Sequence, residues 1–218
     1  MNVLDHGHCR LIDHMGDDLS IVRAARVSYD ADWRTGEDEG KDVKLIGYLM
    51  RNHHTSPFES VTFTFDVKAP IFVFRQWHRH RTWSFNEVSA RYSELPGEFY
   101  TPDLIGIQAS HNKQMRLLEE NPREEEIRQA IQIQCQEAFN TYRQLLSLGA
   151  PRELARGVLP MNTYSHMFAT VNLHNLFHVI RLRLHEHAQY EIQVYAGAML
   201  EQVRSVVPVA VAAFEETL

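Results

Sequence analysis

The chain has 218 residues, of which 44% are hydrophobic and 23% are charged. These proportions are typical of a folded globular protein, and they exclude disorder as the main character of the chain. The formal charge of −6 at pH 7 argues against a general nucleic-acid binder, because such proteins usually present a net basic surface to phosphate. We expect one domain over residues 1–218, since this length supports one substantial core.

The two cysteines, Cys9 and Cys135, lie far apart and form no C-x-x-C pair. Their spacing indicates neither a disulfide framework nor a zinc ribbon. The N-terminus lacks the basic and apolar regions of a signal peptide, and no apolar run approaches eighteen residues. We therefore expect a cytoplasmic protein that does not span a membrane.

The first part of the chain is predicted to mix strands and helices. Alternation of Val61, Phe63, Phe65 and Val67 with polar residues gives the clearest strand. The sequence SPFE at 56–59 has the form of a capping box with proline at the first helical position. In order, the pattern predicts a strand at 8–15, a helix from Asp17 to Val27, a polar acidic connection at 30–40, a helix from Val43 to His53 and a strand at 61–67.

The second part is predicted to be mainly helical, and the ten glycines of the chain stand singly and form no glycine-rich phosphate loop. The strands are too few and too scattered for a doubly wound sheet. We expect an α/β (α+β) chain, a helix-rich domain with a small central antiparallel-type sheet. The predicted elements are an irregular segment at 100–110, helices at 121–149 and 151–157, a strand at 161–171, helices at 172–185 and 188–203, and a last helix at the C-terminus.

A cationic cluster follows the clearest strand, within PIFVFRQWHRHRTWSFNEVSARY at 70–92. Apolar residues at helical spacing predict a helix that begins at Pro70 and continues to Arg81. The cations could lie against a helix C-terminus, hold an anion, or bind a nucleic-acid strand. We favour an anion site, because planar guanidinium groups grip phosphate in bidentate fashion and the cluster has no lysine. Its cations are Arg75, His78, Arg79, His80, Arg81 and Arg91.

A metal site is the alternative explanation for the thirteen histidines. His174 and His178 are spaced i, i+4, so they share a helical face and could ligate zinc. However, there is no H-E-x-x-H motif, no carboxylate accompanies the pair within a turn, and nearby arginines would repel a dication. We therefore expect no metal in the active site, and stoichiometric zinc would instead favour a metal-dependent hydrolase.

The segment RHRTWSFNEVS at 79–89 contains R-H-R followed by seven residues and serine, and it resembles the motif of flavin-dependent thymidylate synthases. The resemblance continues through HHTSPFE at 53–59, FTFDVKAPIFVFRQW at 63–77, SARYSEL at 89–95, PRELARGVLP at 151–160 and TVNLHNLFHVIRLRLHEHAQYEI at 170–192. It implies the thymidylate synthase-complementing fold.

The resemblance implies reductive methylation of dUMP to dTMP. Methylenetetrahydrofolate would donate the carbon, FAD would carry the reducing electrons, and NADPH would supply them. The family uses no cysteine nucleophile and forms a homotetramer with sites shared between subunits. The protein would position rings and neutralise phosphate while the cofactor does the chemistry.

The resemblance also implies individual residue roles. Arg183 matches the catalytic arginine beside the uracil ring, which favours the ionised ring. Ser89 matches a substrate contact without a nucleophilic role. The dUMP-binding set is Gln76, Arg79, Glu87, Ser89, Arg91, Arg156 and Arg183. The FAD-binding set is Ser56, Arg79, His80, Arg81, Glu87, Asn172, His174 and His178, with Glu59 and His187 as further matches and His54 close to the flavin face.

Two features of the 172–185 helix carry further expectations. Some family members have Arg at the position of His174 and Asn at that of His178, so FAD affinity here is expected to depend more on pH. Arg183 is nine residues from His174, about half a turn out of phase. We therefore expect the two helix faces to serve different copies of the site.

Overall fold

The structure is a computed structural model that describes residues 1–28 and 39–218. Most of the acidic connection predicted at 30–40 lies outside the described residues. The described chain forms a mixed helix and sheet fold built on a small antiparallel sheet. None of the helices in these two ranges has the length and apolar character needed to cross a bilayer.

The main sheet has five strands in the order β1-β2-β3-β7-β4, and every neighbouring pair is antiparallel. Strand β3 is central, and its Phe65 lies opposite Leu11 of β2 and Ala169 of β7. A separate two-stranded ribbon joins β5 and β6. The strands are β1 (Asn2–Val3), β2 (Gly7–Met15), β3 (Thr62–Pro70), β4 (Ser84–Glu87), β5 (Ile107–Gln108), β6 (Arg116–Leu117) and β7 (Tyr164–Asn172).

Strict alternation along β3 gives the sheet two different faces. Phe63, Phe65 and Val67 are fully buried on the inner face, which forms the main core. Thr64 and Asp66 point to the other face and are only half-buried. We call this second surface the outer face of the sheet. Because successive strand residues point to opposite sides, the alternation along the strand decides which side chains reach the core.

Eight helices are described, and the inner face of the sheet packs against several of them through the main core. Helix α1 begins with a capping box formed by Asp17 and Ser20. Phe177 of α6 and Phe214 of α8 stack with ring centroids 4.2 Å apart. The helices are α1 (Asp18–Val27), α2 (Glu39–Arg51), α3 (Ile71–Trp77), α4 (Glu124–Ser147), α5 (Arg152–Ala155), α6 (Leu173–Arg183), α7 (Tyr190–Val203) and α8 (Pro208–Glu215).

The helix predicted from Pro70 to Arg81 is too long. Pro70 is the last residue of β3, and α3 ends at Trp77. The chain then turns, with the His80 amide donating to the Trp77 carbonyl at 2.9 Å. The turn lets Trp83 pack edge-on against Trp77 at 5.7 Å, so both indoles are buried. Burial of Trp83 thus stabilises the turn more than further helical residues would, and β4 begins after the turn.

The capping box predicted at 56–59 is also wrong. Residues Ser56–Ser60 form a 3-10 turn whose preceding residue, Thr55, makes no side-chain cap. Ser60 instead donates its hydroxyl to the Pro57 carbonyl at 2.7 Å. The segment is too short for the α-helical geometry that a capping box requires. The irregular region at 100–110 contains the short strand β5, which sequence alternation could not reveal in two residues.

Candidate active site

Arg183, at the end of α6, is held by the turn that follows α3. Its Nε donates to His80 Nε2 at 2.9 Å. Its Nη1 and Nη2 donate to the side-chain and backbone oxygens of Gln76, both at 3.3 Å. Gln76 also donates through its side chain to Gln189. These bonds fix the orientation of one guanidinium group, which is only half-buried and so remains accessible.

The bond from Arg183 determines the protonation state of His80. Arginine has no acceptor, so His80 Nε2 must be the unprotonated ring nitrogen and the proton lies on Nδ1. The pKa of His80 is lowered to about 4, mainly by burial of the ring. The positive charge of Arg183 and the neighbouring His178 also contribute to this lowering. The imidazole is therefore neutral at physiological pH, and it acts here as a hydrogen-bond acceptor rather than as a cation.

A cavity of about 270 Å³ opens next to this group, between α2, α6 and α8. Four histidines line it, together with Arg181 and with the apolar side chains of Leu49, Met50, Phe58, Phe177 and Phe214; the histidines are His53, His54, His174 and His178. The non-glycine residue His53 has φ of +56°, a backbone conformation that often marks functional sites. The cavity thus offers several ring N–H donors beside an apolar wall.

A second group of predicted residues lies around α5. The Arg91 amide donates to Ser89 Oγ at 3.3 Å, and Arg91 Nε pairs with Glu153 at 3.6 Å. Arg156 follows Glu153 by three residues and is exposed. Within the two described ranges, no hydrogen bond or ion pair joins this group to the Arg183 group. Of the seven predicted dUMP contacts, Gln76 is thus bonded to Arg183 and Ser89 to Arg91, and within the described chain neither pair is bonded to the other.

Glu87 ends β4 and accepts a hydrogen bond of 2.6 Å from the hydroxyl of Ser165 on β7. Arg79 and Arg81 are exposed in the turn between α3 and β4. Among the residues that the structure describes, no carboxylate pairs with either arginine. Their charges are therefore available to an anion, and the anion site itself stays a prediction.

Asn172 has a structural role of its own, whereas Ser56 is exposed. The Asn172 side-chain oxygen accepts from the Asn175 amide at 2.9 Å and caps α6. Because the side-chain oxygen is occupied by the cap, the side-chain amide nitrogen of Asn172 is the group that can donate to a ligand. Ser56 is exposed at the start of the 3-10 turn. The predicted cofactor contact and the helix cap are thus compatible.

The two faces of α6 are connected within one chain, although Arg183 and His174 are about half a turn out of phase. His174 and His178 line the cavity, whereas Arg183 does not. Yet the His178 ring lies 6.3 Å from the His80 ring, which accepts the bond from Arg183. His80 therefore connects both faces within one chain, because the turn after α3 passes beside the helix end. The sharing of sites between copies stays a prediction.

Neither cysteine is placed as a nucleophile. Cys9 is fully buried on β2, and burial raises the pKa of its thiol to about 12. Cys135 is buried on α4, where its Sγ lies 3.3 Å from the side-chain oxygen of Asn162. Both behave as packing residues, in agreement with the sequence interpretation.

Sequence reasoning missed several residues of this region. Gln189 is bonded to Gln76, Ser165 is bonded to Glu87, and Arg181 lines the cavity. Nothing in their local sequence distinguishes these polar residues from ordinary surface positions. A larger cavity, of about 690 Å³, lies near Asp5 and Gly97 and contains none of the predicted site residues. The smaller cavity, in contrast, carries convergent polar groups of the kind that orient a ligand in small-molecule sites.

Residues 10–209 match the family model described as thymidylate synthase complementing protein. A flavin-dependent thymidylate synthase of Thermus thermophilus is 53% identical over 99% of this chain and 78% of its own length. The flavin-dependent thymidylate synthase of Treponema denticola is 50% identical over 98% of this chain and 80% of its own length. The UMP/dUMP methylase PolB from Streptomyces cacaoi, solved with 5-Br dUMP, has a TM-score of 0.91 and 37% identity, covering 99% of this chain and 97% of its own. This chain belongs to the thymidylate synthase complementing protein family.

Proposed function

We propose that this chain, as one domain, is a flavin-dependent thymidylate synthase that methylates dUMP to dTMP with methylenetetrahydrofolate as the carbon donor. The observation that carries the proposal is Arg183, fixed by three hydrogen bonds beside a histidine-lined cavity and exposed arginines. Nucleotide phosphate, an ionisable base and a flavin are ligands that these groups can hold. A nucleic-acid module or a metal-dependent hydrolase is not favoured by the family relationship.

The residues around the cavity fit a flavin. His53, His54, His174 and His178 supply ring N–H groups, and Phe177 supplies an apolar surface. We assign FAD to this region, with Arg79, Arg81, Ser56 and the free amide nitrogen of Asn172 as further contacts. When bound, the flavin supplies hydride chemistry with NADPH as the reductant.

Arg91 and Arg156 are assigned to the dUMP phosphate. The ion pair between Arg91 and Glu153 is long, at 3.6 Å, and both side chains are more than half exposed. Such surface pairs contribute only about 0 to 1 kcal/mol, so Arg91 can readily exchange its partner for a phosphate. Arg156 has no carboxylate partner in the part of the chain that the structure describes.

Arg183 is assigned to the uracil ring. Burial lowers its pKa, but an arginine guanidinium remains charged at neutral pH. Because His80 and Gln76 already fix its position, the cation stabilises negative charge on the ring without having to reorganise. Gln76, Glu87 and Ser89 would orient the nucleotide.

Two observations support a site completed by a second copy of the chain. The cavity of about 270 Å³ is smaller than the roughly 300 to 1,000 Å³ of ordinary small-molecule sites, so it can hold only part of FAD. Among the described residues, no bond links the pair of Gln76 and Arg183 to the pair of Ser89 and Arg91. We propose a homotetramer with shared sites. Under proven subunit exchange, a mixture of Arg183→Ala and Arg79→Ala chains should regain activity, and no regain would contradict the sharing.

The activity itself is tested with purified protein. It should be yellow, or become so with FAD, and should form dTMP from dUMP only when methylenetetrahydrofolate and NADPH are present. Colourless protein that FAD cannot reconstitute would overturn the proposal. Arg183→Ala should lower methylation more than NADPH-dependent flavin reduction, whereas the surface control Arg204→Ala, which removes a pair with Glu215, should change neither. Equal losses in both steps would refute the role of Arg183 at the uracil ring.

A further inference from the structure

A second cluster of ligand-type side chains lies on the outer face of the sheet. It consists of His8 on β2, Asp66 on β3 and His166 on β7, three adjacent strands. One ligand atom from each residue lies within 4.8 Å of the other two. None of these residues belongs to the groups around Arg183, the histidine cavity or α5. No local motif indicates the cluster, because its members are 58 and 100 residues apart.

The strand register explains how the three side chains converge. His8 and His166 both lie opposite Lys68, on either side of β3. Asp66 is two residues from Lys68 and therefore points to the same face. Both imidazoles reach the same oxygen, Asp66 Oδ1, and the His8 Nε2 contact is 3.2 Å. The sheet thus brings two imidazole nitrogens to one carboxylate oxygen.

The separation of one pair of ligand atoms is that of a metal site. Ligand bonds of about 2.0 to 2.1 Å in a tetrahedral zinc site place neighbouring ligand atoms about 3.3 Å apart. The separation between His8 Nε2 and Asp66 Oδ1 already matches this value. His166 lies closer to Asp66, but its side chain is 48% exposed and is free to withdraw slightly.

The neighbouring cations leave the centre of the cluster accessible. Lys68 extends away from it, because its ammonium group pairs with Glu98 and lies 5.5 Å from the ring centroid of Tyr164. Arg10 Nη1 is 3.8 Å from the second oxygen, Asp66 Oδ2, and its side chain is 58% exposed. That arginine can move into solvent when the carboxylate binds a stronger cation.

We propose that His8, Asp66 and His166 form a binding site for one divalent transition-metal ion, with Zn²⁺ as the expected ion. Two imidazoles and one carboxylate are a common ligand set for such ions and leave at least one position open to water. The ion would join three strands of the sheet, so its first effect is on stability. It lies outside the proposed active site and does not depend on the proposed function.

The test is Zn²⁺ titration of the purified, chelator-treated full chain by calorimetry, with thermal unfolding measured in parallel. We expect one ion per chain and a higher Tm when Zn²⁺ is present. Asp66→Asn and His166→Gln approximately preserve side-chain size and should weaken Zn²⁺ binding by at least about tenfold. Removal of a residue that only hydrogen-bonds to a metal ligand already costs about tenfold or more, so loss of a ligand itself should cost at least as much. Both variants should also lose the Zn²⁺-dependent rise in Tm.

Two controls distinguish this site from other histidines. His14→Gln removes an exposed imidazole from the same strand and should leave Zn²⁺ binding unchanged. His174→Gln removes one histidine of the cavity and should also leave it unchanged. Absence of saturable binding would overturn the proposal. So would binding that survives Asp66→Asn and His166→Gln, or binding that disappears in His174→Gln, because the ion would then lie in the cavity.

Discussion

His80 should make the stability of this protein fall at acidic pH. The folded chain lowers its pKa to about 4 from 6.5, because the imidazole is buried and faces the positive Arg183. Above pH 6.5 the ring is neutral in both the folded and the unfolded chain, and its full contribution is present. Between pH 6.5 and 4 only the unfolded chain binds the proton, so the free energy of unfolding decreases as the pH falls.

The size of this effect follows from the two pKa values. At 1.36 kcal/mol for each factor of ten, the loss between pH 6.5 and 4 is at most about 3 kcal/mol. Below pH 4 both states bind the proton and no further loss arises from this residue. Protonation would also break the bond between Arg183 and His80, since the ring would lose its acceptor.

The assay compares the protein with His80→Gln, which retains a hydrogen-bond acceptor but does not titrate. Urea unfolding followed by circular dichroism, at equal flavin content and protein concentration, gives the free energy of unfolding from pH 4 to 8. The wild-type protein should lose up to about 3 kcal/mol more than His80→Gln across the acidic range. The same pH dependence in both proteins would refute a neutral, buried His80.

Three further changes test other contacts. Arg116 lies 2.8 Å from Glu191, which is 1% exposed, so Arg116→Leu leaves a buried carboxylate without its cation. The variant should lower the free energy of unfolding in urea by about 3 to 5 kcal/mol. A smaller loss in Arg116→Leu/Glu191→Gln would show that the unpaired charge is the cause. Asp17→Ala removes the cap of α1 and should lower the free energy of unfolding in urea by about 1 kcal/mol. An unchanged urea midpoint would contradict a stabilising role of this cap. Ser165→Ala removes the hydrogen bond to Glu87, worth about 1 kcal/mol, so it should lower the Tm by about 2 to 4 °C and raise the KM for dUMP about fivefold. An unchanged KM would remove Glu87 from the dUMP site.

The long elements could be predicted because their signals are local and repeated. Alternation along β3 indicated the central strand, and the acidic start of α4 with Gly149 after its end indicated the longest helix. The helix proposed through Arg81 failed because a contact between Trp77 and Trp83 ends it. Helical periodicity describes which face is apolar, but it does not report how far along the chain that face finds a partner.

The sequence by itself determined the family resemblance, the helix-rich class with a small sheet, and the cationic character of the 70–92 segment. These properties depend on residue type and short spacing, which the chain carries without folding. Only the tertiary structure decided that His80 is a neutral acceptor for Arg183, because that state depends on burial and on a residue 103 positions away. Strand register likewise decided that His8 and His166 meet at Asp66. Contacts between distant segments depend on how the strands pair, and no local pattern records that pairing.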